Sequence, residues 1–208
     1  NVLHTAASRV AAMDLGFVPA KGGLDTDGIL KGAEKGDIKL VWLLGADEVD
    51  MSAVEKAFVI YQGHHGDKGA SIADIVLPGA AYTEKDGTYV NFEGRVQRGA
   101  RAAFPPGEAK DDWAIIRAVS AVINKTLPFD NAAACHDAMV EAVPHLGDLD
   151  EIAPAKWVKF GTATKLSAEP VGQALEQFYM TCPISRASET MAECLVASKS
   201  DASLMAAE

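Results

Sequence analysis

Residues 38–44 have the sequence IKLVWLL, an apolar run that only Lys39 interrupts. A continuous apolar run of this length predicts a β-strand that is covered on both faces, since a half-exposed strand would alternate. Gly45, Ala46 and Asp47 follow directly. A small, acidic turn at the carboxyl end of a parallel strand lies where open α/β sheets bind their ligands.

Two further apolar runs, residues 57–61 and 75–77, predict a second and a third strand. The segments between the three runs are short, and residues 51–56 and 71–74 have helical character. Strands that alternate with helical connections place the chain in the α/β class.

The rest of the chain predicts helices and one hairpin. Residues 88–92 and 96–101 flank a turn at Gly94 and predict a β-hairpin. The final ten residues are small and polar, and we expect them to fray. The helices are predicted at residues 4–15, Thr26–Lys35, 110–124, 131–143 and 183–198.

The composition excludes several classes of protein. The 208 residues carry a net charge of −10, which argues against nucleic acid as a partner because such binding needs a basic surface. No segment approaches the ~20 consecutive apolar residues that cross a bilayer, so direct membrane insertion is not expected. The chain starts at Asn1 without a signal-peptide pattern, and we interpret it as part of a longer polypeptide.

The cysteines Cys135, Cys182 and Cys194 are widely spaced. An odd number at this spacing is not typical of a disulfide framework. No CxxC pair is present, although such pairs are typical of zinc and iron–sulfur ligands. The residues alone therefore predict no metal site.

The loop at residues 63–67, with the sequence GHHGD, is the first candidate site. Its imidazoles and carboxylate are ligand types for a metal or a phosphate, although adjacent histidines converge poorly on one ion. The glycines allow close approach of a nucleotide, or they serve only a tight turn in a polar loop.

A second group of charged residues surrounds the predicted hairpin. Residues 84–88, with the sequence EKDGT, contain charges that are normally solvated on such a turn. Arg95, Arg98 and Arg101 form a basic cluster that fits an anionic ligand, a docking contact or a solvated strand face.

Longer motifs connect these loops. The sequence is YQGHHGDKGASIADIVLPGAAYTEKDGTYVNFEGRVQ over residues 61–97. Its core, ADIVLP followed by EKDGTYVNFEGRVQ, resembles the molybdopterin oxidoreductase family, which includes formate dehydrogenases. The flanking residues, the opening NVLHTAASRVAAMDLGFVP and the closing FYMTCPISRASETMAEC resemble the large iron–sulfur subunit of respiratory complex I.

The resemblance implies a fold and a role. Residues 1–125 would belong to a molybdopterin-oxidoreductase-like, layered α/β domain with a β-hairpin, and residues 126–208 would form a C-terminal helical and irregular extension. The chain would be a structural part of the NADH–quinone oxidoreductase, in its peripheral arm, and would contact other peripheral-arm subunits. That arm lies on the cytoplasmic face of a bacterial inner membrane or the matrix side of the mitochondrial inner membrane.

The resemblance also bears on cofactors. Iron–sulfur clusters, 2Fe-2S and 4Fe-4S, would lie in the N-terminal part of the subunit, and this chain would hold no metal, no cofactor and no catalytic residue. The loops that approach the pterin dinucleotide in the wider family would persist as a vestigial site. Its candidate residues are Gly63, His64, His65, Asp67, Gly87 and Thr88.

Two alternatives stay open at this point. The chain is a cofactor-binding portion of a molybdopterin-dependent oxidoreductase such as a formate dehydrogenase, which would place a pterin at these loops. Otherwise it is a stand-alone module that binds a small anionic metabolite, which an isolated chain that is monodisperse and unfolds cooperatively would support.

Overall fold

The structure is a computed structural model. It describes residues 7–152, 154, 156–159, 161–165, 167–169 and 179–205, with the backbone alone from residue 200. The chain divides into two compact units, Asn1–Pro154 and Ala155–Glu208. In chain order the elements of the first unit are α1 (Arg9–Asp14), α2 (Thr26–Lys35), β1 (Leu40–Leu44), a 3-10 helix (Met51–Val54), β2 (Phe58–Gly63), α3 (Lys68–Ile72), β3 (Ile75–Pro78), β4 (Gly87–Val90), β5 (Val96–Gly99), α4 (Asp112–Val122), α5 (Ala132–Ala142) and a second 3-10 helix (Pro144–Gly147).

Strands β1, β2 and β3 form a parallel sheet in that order. Leu40 pairs with Phe58, and Ile60 pairs with Ile75, so the three strands end at one edge. The three predicted strands are therefore present, and β2 continues two residues beyond its predicted end, to Gly63.

One face of this sheet packs on helices of the same unit. Its inward side chains share a buried cluster with residues of α2, the first 3-10 helix and the segment around α3. The connections between the strands lie on this face. The strands follow one another in one direction across the sheet, so right-handed crossovers place both connections on the same side. The buried members of the cluster are Ala33, Val41, Leu43, Val54, Ala57, Val59 and Tyr61.

The opposite face is exposed within the described residues except at Gln62, which is fully buried. Leu40 is 53% exposed, Phe58 is 45% exposed and Ile75 is 42% exposed. The prediction of a strand covered on both faces is therefore wrong for this chain by itself. The reason is that an apolar run indicates that the strand is buried, but it does not indicate which segment covers it.

Helix α2 has the predicted bounds. The Asp25 side chain accepts a hydrogen bond from the Gly28 amide at 2.8 Å and caps the amino end. Gly36 ends the helix in the left-handed conformation, with φ 80°.

The antiparallel hairpin of β4 and β5 forms a second buried centre. Val90 and Val96 pair across the hairpin and pack with Ala11 of α1 and Leu146. Helices α4 and α5 lie within their predicted ranges, and the Asn131 side chain caps α5 by accepting from the Ala134 amide.

The first predicted helix is shorter than expected. Residues 7 and 8 form a turn and α1 begins at Arg9, while residues 4–6 of the prediction lie outside the described residues. Leu15 follows the helix, and Gly16 has a φ of 73°, as expected of a residue that ends it.

The second unit contains α6 (Pro183–Arg186) and α7 (Glu189–Met205). The single predicted helix at residues 183–198 is wrong, because Ser188 interrupts it and its hydroxyl accepts from the Met191 amide at 3.4 Å. Helix α7 extends to Met205, into the segment where fraying is predicted, and residues 206–208 lie outside the described residues.

Candidate functional site

The carboxyl edge of the parallel sheet gathers the polar residues that follow β1 and β2. Asp47 lies three residues after β1 and is 2% exposed. The predicted residues Gly63, His64, His65 and Asp67 lie at the end of β2 and in the loop that leads to α3. The sheet topology thus brings two loops from neighbouring strands to one edge.

Tyr61 and Asp47 form a buried, hydrogen-bonded pair at this edge. The buried Tyr61 hydroxyl donates to Asp47 Oδ2 at 2.9 Å and lies 3.1 Å from the carbonyl oxygen of His65. Asp47 Oδ1 accepts from the Gly69 amide at 2.8 Å. The carboxylate therefore ties β1 to β2 and to the start of α3.

The glycines beside this pair make room for the tyrosine ring. A Cβ atom on Gly63 would lie 2.4 Å from the Tyr61 hydroxyl oxygen. A Cβ atom on Gly69 would lie 2.7 Å from the same ring and 2.9 Å from Asp47 Oδ1. Both glycines thus have a packing role that the sequence pattern alone does not reveal.

The two loop histidines contact each other. Their Nδ1 atoms are 2.7 Å apart, so one ring donates and the other accepts, and the rings meet edge to face at 4.9 Å. Burial lowers the pKa of His64 from its ordinary value, and His65 and Lys85 lower it further, against smaller opposing effects of two nearby carboxylates. His64 is therefore held towards its neutral form.

A second polar pair lies between the end of β2 and the start of α4. Gln62, which is fully buried, donates from Nε2 to Asp112 Oδ1 at 2.8 Å, and Lys85 forms an ion pair with Asp112 Oδ2. A Cβ atom on Gly79 would lie 3.0 Å from Asp112 Oδ1. Asp112 therefore fixes α4 to the sheet edge and neutralises the nearby lysine.

Gly87 and Thr88 lie elsewhere, at the start of β4. They line a cavity of about 190 Å³ that the hairpin forms with α5, and Cys135, His136 and Met139 line its opposite wall. The structure thus groups four of the six candidate residues at the sheet edge and places the other two in the hairpin.

Several residues at this edge are not among the predicted candidates. The sequence places Asp47 in an acidic turn after a strand, but it assigns no role to Tyr61, Gln62, Lys85 or Asp112. A polar pair at the end of an otherwise apolar strand, the Tyr61-Gln62 dipeptide, is the signal that could have found two of them.

The basic cluster of the hairpin is also dispersed. Arg95 donates to the carbonyl oxygen of Asp150 at 2.5 Å, and the Arg101 guanidinium lies over the Phe104 ring at 4.5 Å. Arg98 lines the cavity beside α5. The three arginines therefore have three different environments.

The described residues contain no group of three or more histidine, cysteine, aspartate or glutamate side chains that could hold a metal ion. Burial raises the pKa of the Cys135 thiol, whereas hydrogen bonds from Ser185 lower the pKa of Cys182. In the same part of the chain, no helix is long and apolar enough to cross a bilayer.

Two protein-family models match successive parts of the chain. The sequence model of the molybdopterin oxidoreductase family matches residues 1–122. The chain belongs to the molybdopterin oxidoreductase family. A second model, for the C-terminal region of the G subunit of NADH-ubiquinone oxidoreductase, matches residues 151–194 of this family member.

Similar curated proteins are named as subunits of NADH-ubiquinone or NADH-quinone oxidoreductase. The chain is 48% identical to the mitochondrial NADH-ubiquinone oxidoreductase 78 kDa subunit of Neurospora crassa, over 96% of this chain and 27% of that protein. It is 44% identical to the 75 kDa subunit of Reclinomonas americana, over 93% of this chain and 28% of that protein. It is 41% identical to the G subunit of the NADH-quinone oxidoreductase of Rickettsia bellii, over 95% and 27%.

These matches confirm the predicted α/β class and the resemblance to the large complex I subunit. The chain spans little more than a quarter of the length of these relatives, at 27% to 28%. A formate dehydrogenase is not favoured, since the G-subunit model matches residues 151–194. The domain boundary between residues 125 and 126 stays a prediction.

Proposed function

We propose that this chain is the structural C-terminal region of the large iron–sulfur subunit of complex I. In the peripheral arm it supports electron transfer from NADH to quinone and carries no catalytic residue of its own. The observation that carries the proposal is the match of the molybdopterin oxidoreductase and G-subunit models to successive parts of one chain.

The fold family implies a pterin dinucleotide at the carboxyl edge of the sheet, and the residues present do not fit it. The Tyr61 ring occupies the space beside Gly63 and Gly69, where a backbone would otherwise meet a ligand. Two acidic side chains of this edge, Asp47 and Asp112, oppose an anionic pyrophosphate.

Lys85 and His64 do not offset those carboxylates. Lys85 is paired with Asp112, and the lowered pKa of His64 favours the uncharged imidazole. We therefore propose that Gly63, His64, His65 and Asp67 are a vestigial cofactor edge. We extend the same proposal to Gly87 and Thr88, which line the cavity beside α5.

Electron transfer in the whole subunit needs clusters, and we place the 2Fe-2S and 4Fe-4S clusters outside this chain. Cys135, Cys182 and Cys194 are free thiols, and among the described residues no three histidine, cysteine or acidic side chains form a group that could hold a metal ion. The partners are then the other peripheral-arm subunits, on the cytoplasmic face of a bacterial inner membrane or the matrix side of the mitochondrial one.

The first test is a cofactor assay on the intact complex that contains this chain. The complex is oxidised and assayed for the fluorescent pterin product, and molybdenum is measured by elemental analysis. We expect neither in amounts that approach one per subunit. Pterin equimolar with the subunit would contradict the vestigial edge and would support the molybdopterin-dependent alternative.

The second test separates turnover from assembly. We expect the substitutions His64→Gln and His65→Gln to leave NADH–quinone turnover per assembled complex unchanged. Deletion of Ala155–Glu208 should instead lower the amount of assembled complex, because it removes the compact second unit. A loss of turnover per complex in the histidine variants, with assembly and cluster spectra intact, would contradict the scaffold role.

A further inference from the structure

The open face of the parallel sheet is an apolar surface that the buried Gln62 interrupts at the carboxyl end. Side chains alternate along each strand, and the register of β1, β2 and β3 places paired residues on the same face. None of the side chains that form this surface is charged. The apolar members of this open face are Leu40, Trp42, Leu44, Phe58, Ile60, Ile75 and Leu77.

The connections of this sheet cannot cover that face. The strands follow one another in a single direction, so right-handed crossovers place both connections on the same side. Met51 and Ala70, one from each connection, pack on the opposite, buried cluster together with Leu30 of α2. Asp112 at the start of α4 reaches only the carboxyl end, through Gln62.

An apolar sheet face of this extent is unusual in water. Parallel sheets occur almost always with both faces covered, and contiguous exposed apolar patches mark interaction sites. The Trp42 indole N–H is buried and has no hydrogen-bond partner among the described residues. The face therefore fits an apolar cover that also offers a hydrogen-bond acceptor.

We infer that helices of the same subunit, from the polypeptide outside these 208 residues, cover the open face. The relatives are long enough to supply them, since this chain matches only 27% to 28% of their length. A face of aliphatic and aromatic side chains without charge suits permanent burial inside one folded polypeptide, whereas transient interfaces between subunits are more polar.

Photo-cross-linking in the intact complex tests the identity of the cover. A photoreactive phenylalanine analogue replaces Phe58, which is 45% exposed at the amino end of the middle strand. We expect a cross-link to a peptide of the same subunit outside this chain, in a species that keeps the mass of one subunit. A cross-link to another subunit or to a second copy, or no cross-link at all, would overturn the inference.

A pair of neighbouring substitutions provides the matched control. Ile75 and Val76 are adjacent on β3, are 42% and 51% exposed, and point to opposite faces. In the full-length subunit, Ile75→Asp should lower the midpoint of thermal unfolding clearly, and Val76→Asp should lower it much less. Equal shifts would overturn the inference. The inferred cover of the open face does not depend on the vestigial edge, so a positive pterin assay would not contradict it.

Discussion

At the scale of single residues, the Tyr61–Asp47 pair holds the carboxyl edge together. Asp47 is buried in the turn after β1, and its two carboxylate oxygens accept from the Tyr61 hydroxyl and the Gly69 amide. Removal of a donor leaves a buried carboxylate oxygen without a partner, which costs more than an ordinary hydrogen bond contributes.

We expect Tyr61→Phe to destabilise the chain by about 1–3 kcal/mol, because the buried carboxylate loses one donor. Urea denaturation followed by tryptophan fluorescence measures the change. Tyr82→Phe is the matched control, since Tyr82 is 62% exposed, and it should change the free energy of unfolding by less than about 0.5 kcal/mol. Equal effects of the two substitutions would show that the hydroxyl of Tyr61 contributes nothing.

The lowered pKa of His64 predicts a dependence of stability on pH. Well above pH 6.5, the ordinary pKa of histidine, His64 is neutral in both the folded and the unfolded chain. Its native contacts then contribute fully to the stability of the fold. As the pH falls from 6.5 towards the lowered native pKa, the unfolded chain binds the proton first, so stability declines.

His64→Gln should therefore reduce the loss of stability on the acidic side of pH 6.5. Denaturation curves of the original chain and the variant, collected at a series of pH values, yield the two slopes. Parallel slopes, or an NMR titration of His64 with a midpoint above 6.5, would contradict burial as the cause of this pH dependence.

At the scale of elements, the sequence specifies the helix ends well wherever a local cap defines them. Helix α2 agrees with its prediction because Asp25 and Gly36 act on their own backbone neighbourhood. The break at Ser188 is not apparent from the sequence, because a serine within a helical pattern either points to solvent or caps a new helix, and only the fold decides between these.

Asp25→Ala should cost about 1 kcal/mol of stability, since the first turn of α2 loses its capping acceptor. Asp25→Ser retains an acceptor and should cost clearly less. Chemical denaturation of both variants measures the difference. If alanine and serine were equivalent at this position, the hydrogen bond to the Gly28 amide would have no energetic role.

The candidate site shows the same division between local and distant information. The loop of His64 and His65 is visible in the sequence as a polar interruption after an apolar run. The pairing of Gln62 with Asp112 joins residues 50 positions apart, so no local pattern reveals it. The uncovered sheet face escapes prediction for a related reason, because the strand itself does not specify the segment that covers it.

At the scale of the whole molecule, the first unit contains both buried clusters. The cluster on the parallel sheet and the cluster around Val90, Val96 and Leu146 lie entirely within Asn1–Pro154. The second unit, Ala155–Glu208, contributes no member to either cluster among the described residues. The stability of the first unit should therefore be independent of the second.

Truncation of the subunit after Pro154 should keep the hydrogen-exchange protection of β1 and β2 unchanged. The comparison is with the same protein carrying Ala155–Glu208, measured by mass spectrometry on matched peptides. Protection of Val41 and Val59, which are 8% and 2% exposed, is the most informative readout. Faster exchange at these strands after truncation would mean that the two units fold as one.

The contact of Tyr61 with Gly63 and Gly69 has a consequence for epistasis. A larger residue at either glycine collides with the ring, while a smaller residue at position 61 deprives the buried Asp47 of a donor. Each of these residues is thus tolerated only in combination with the others. The edge resists change by single substitutions, and a chain that acquired a ligand at this edge would first pass through less stable intermediates.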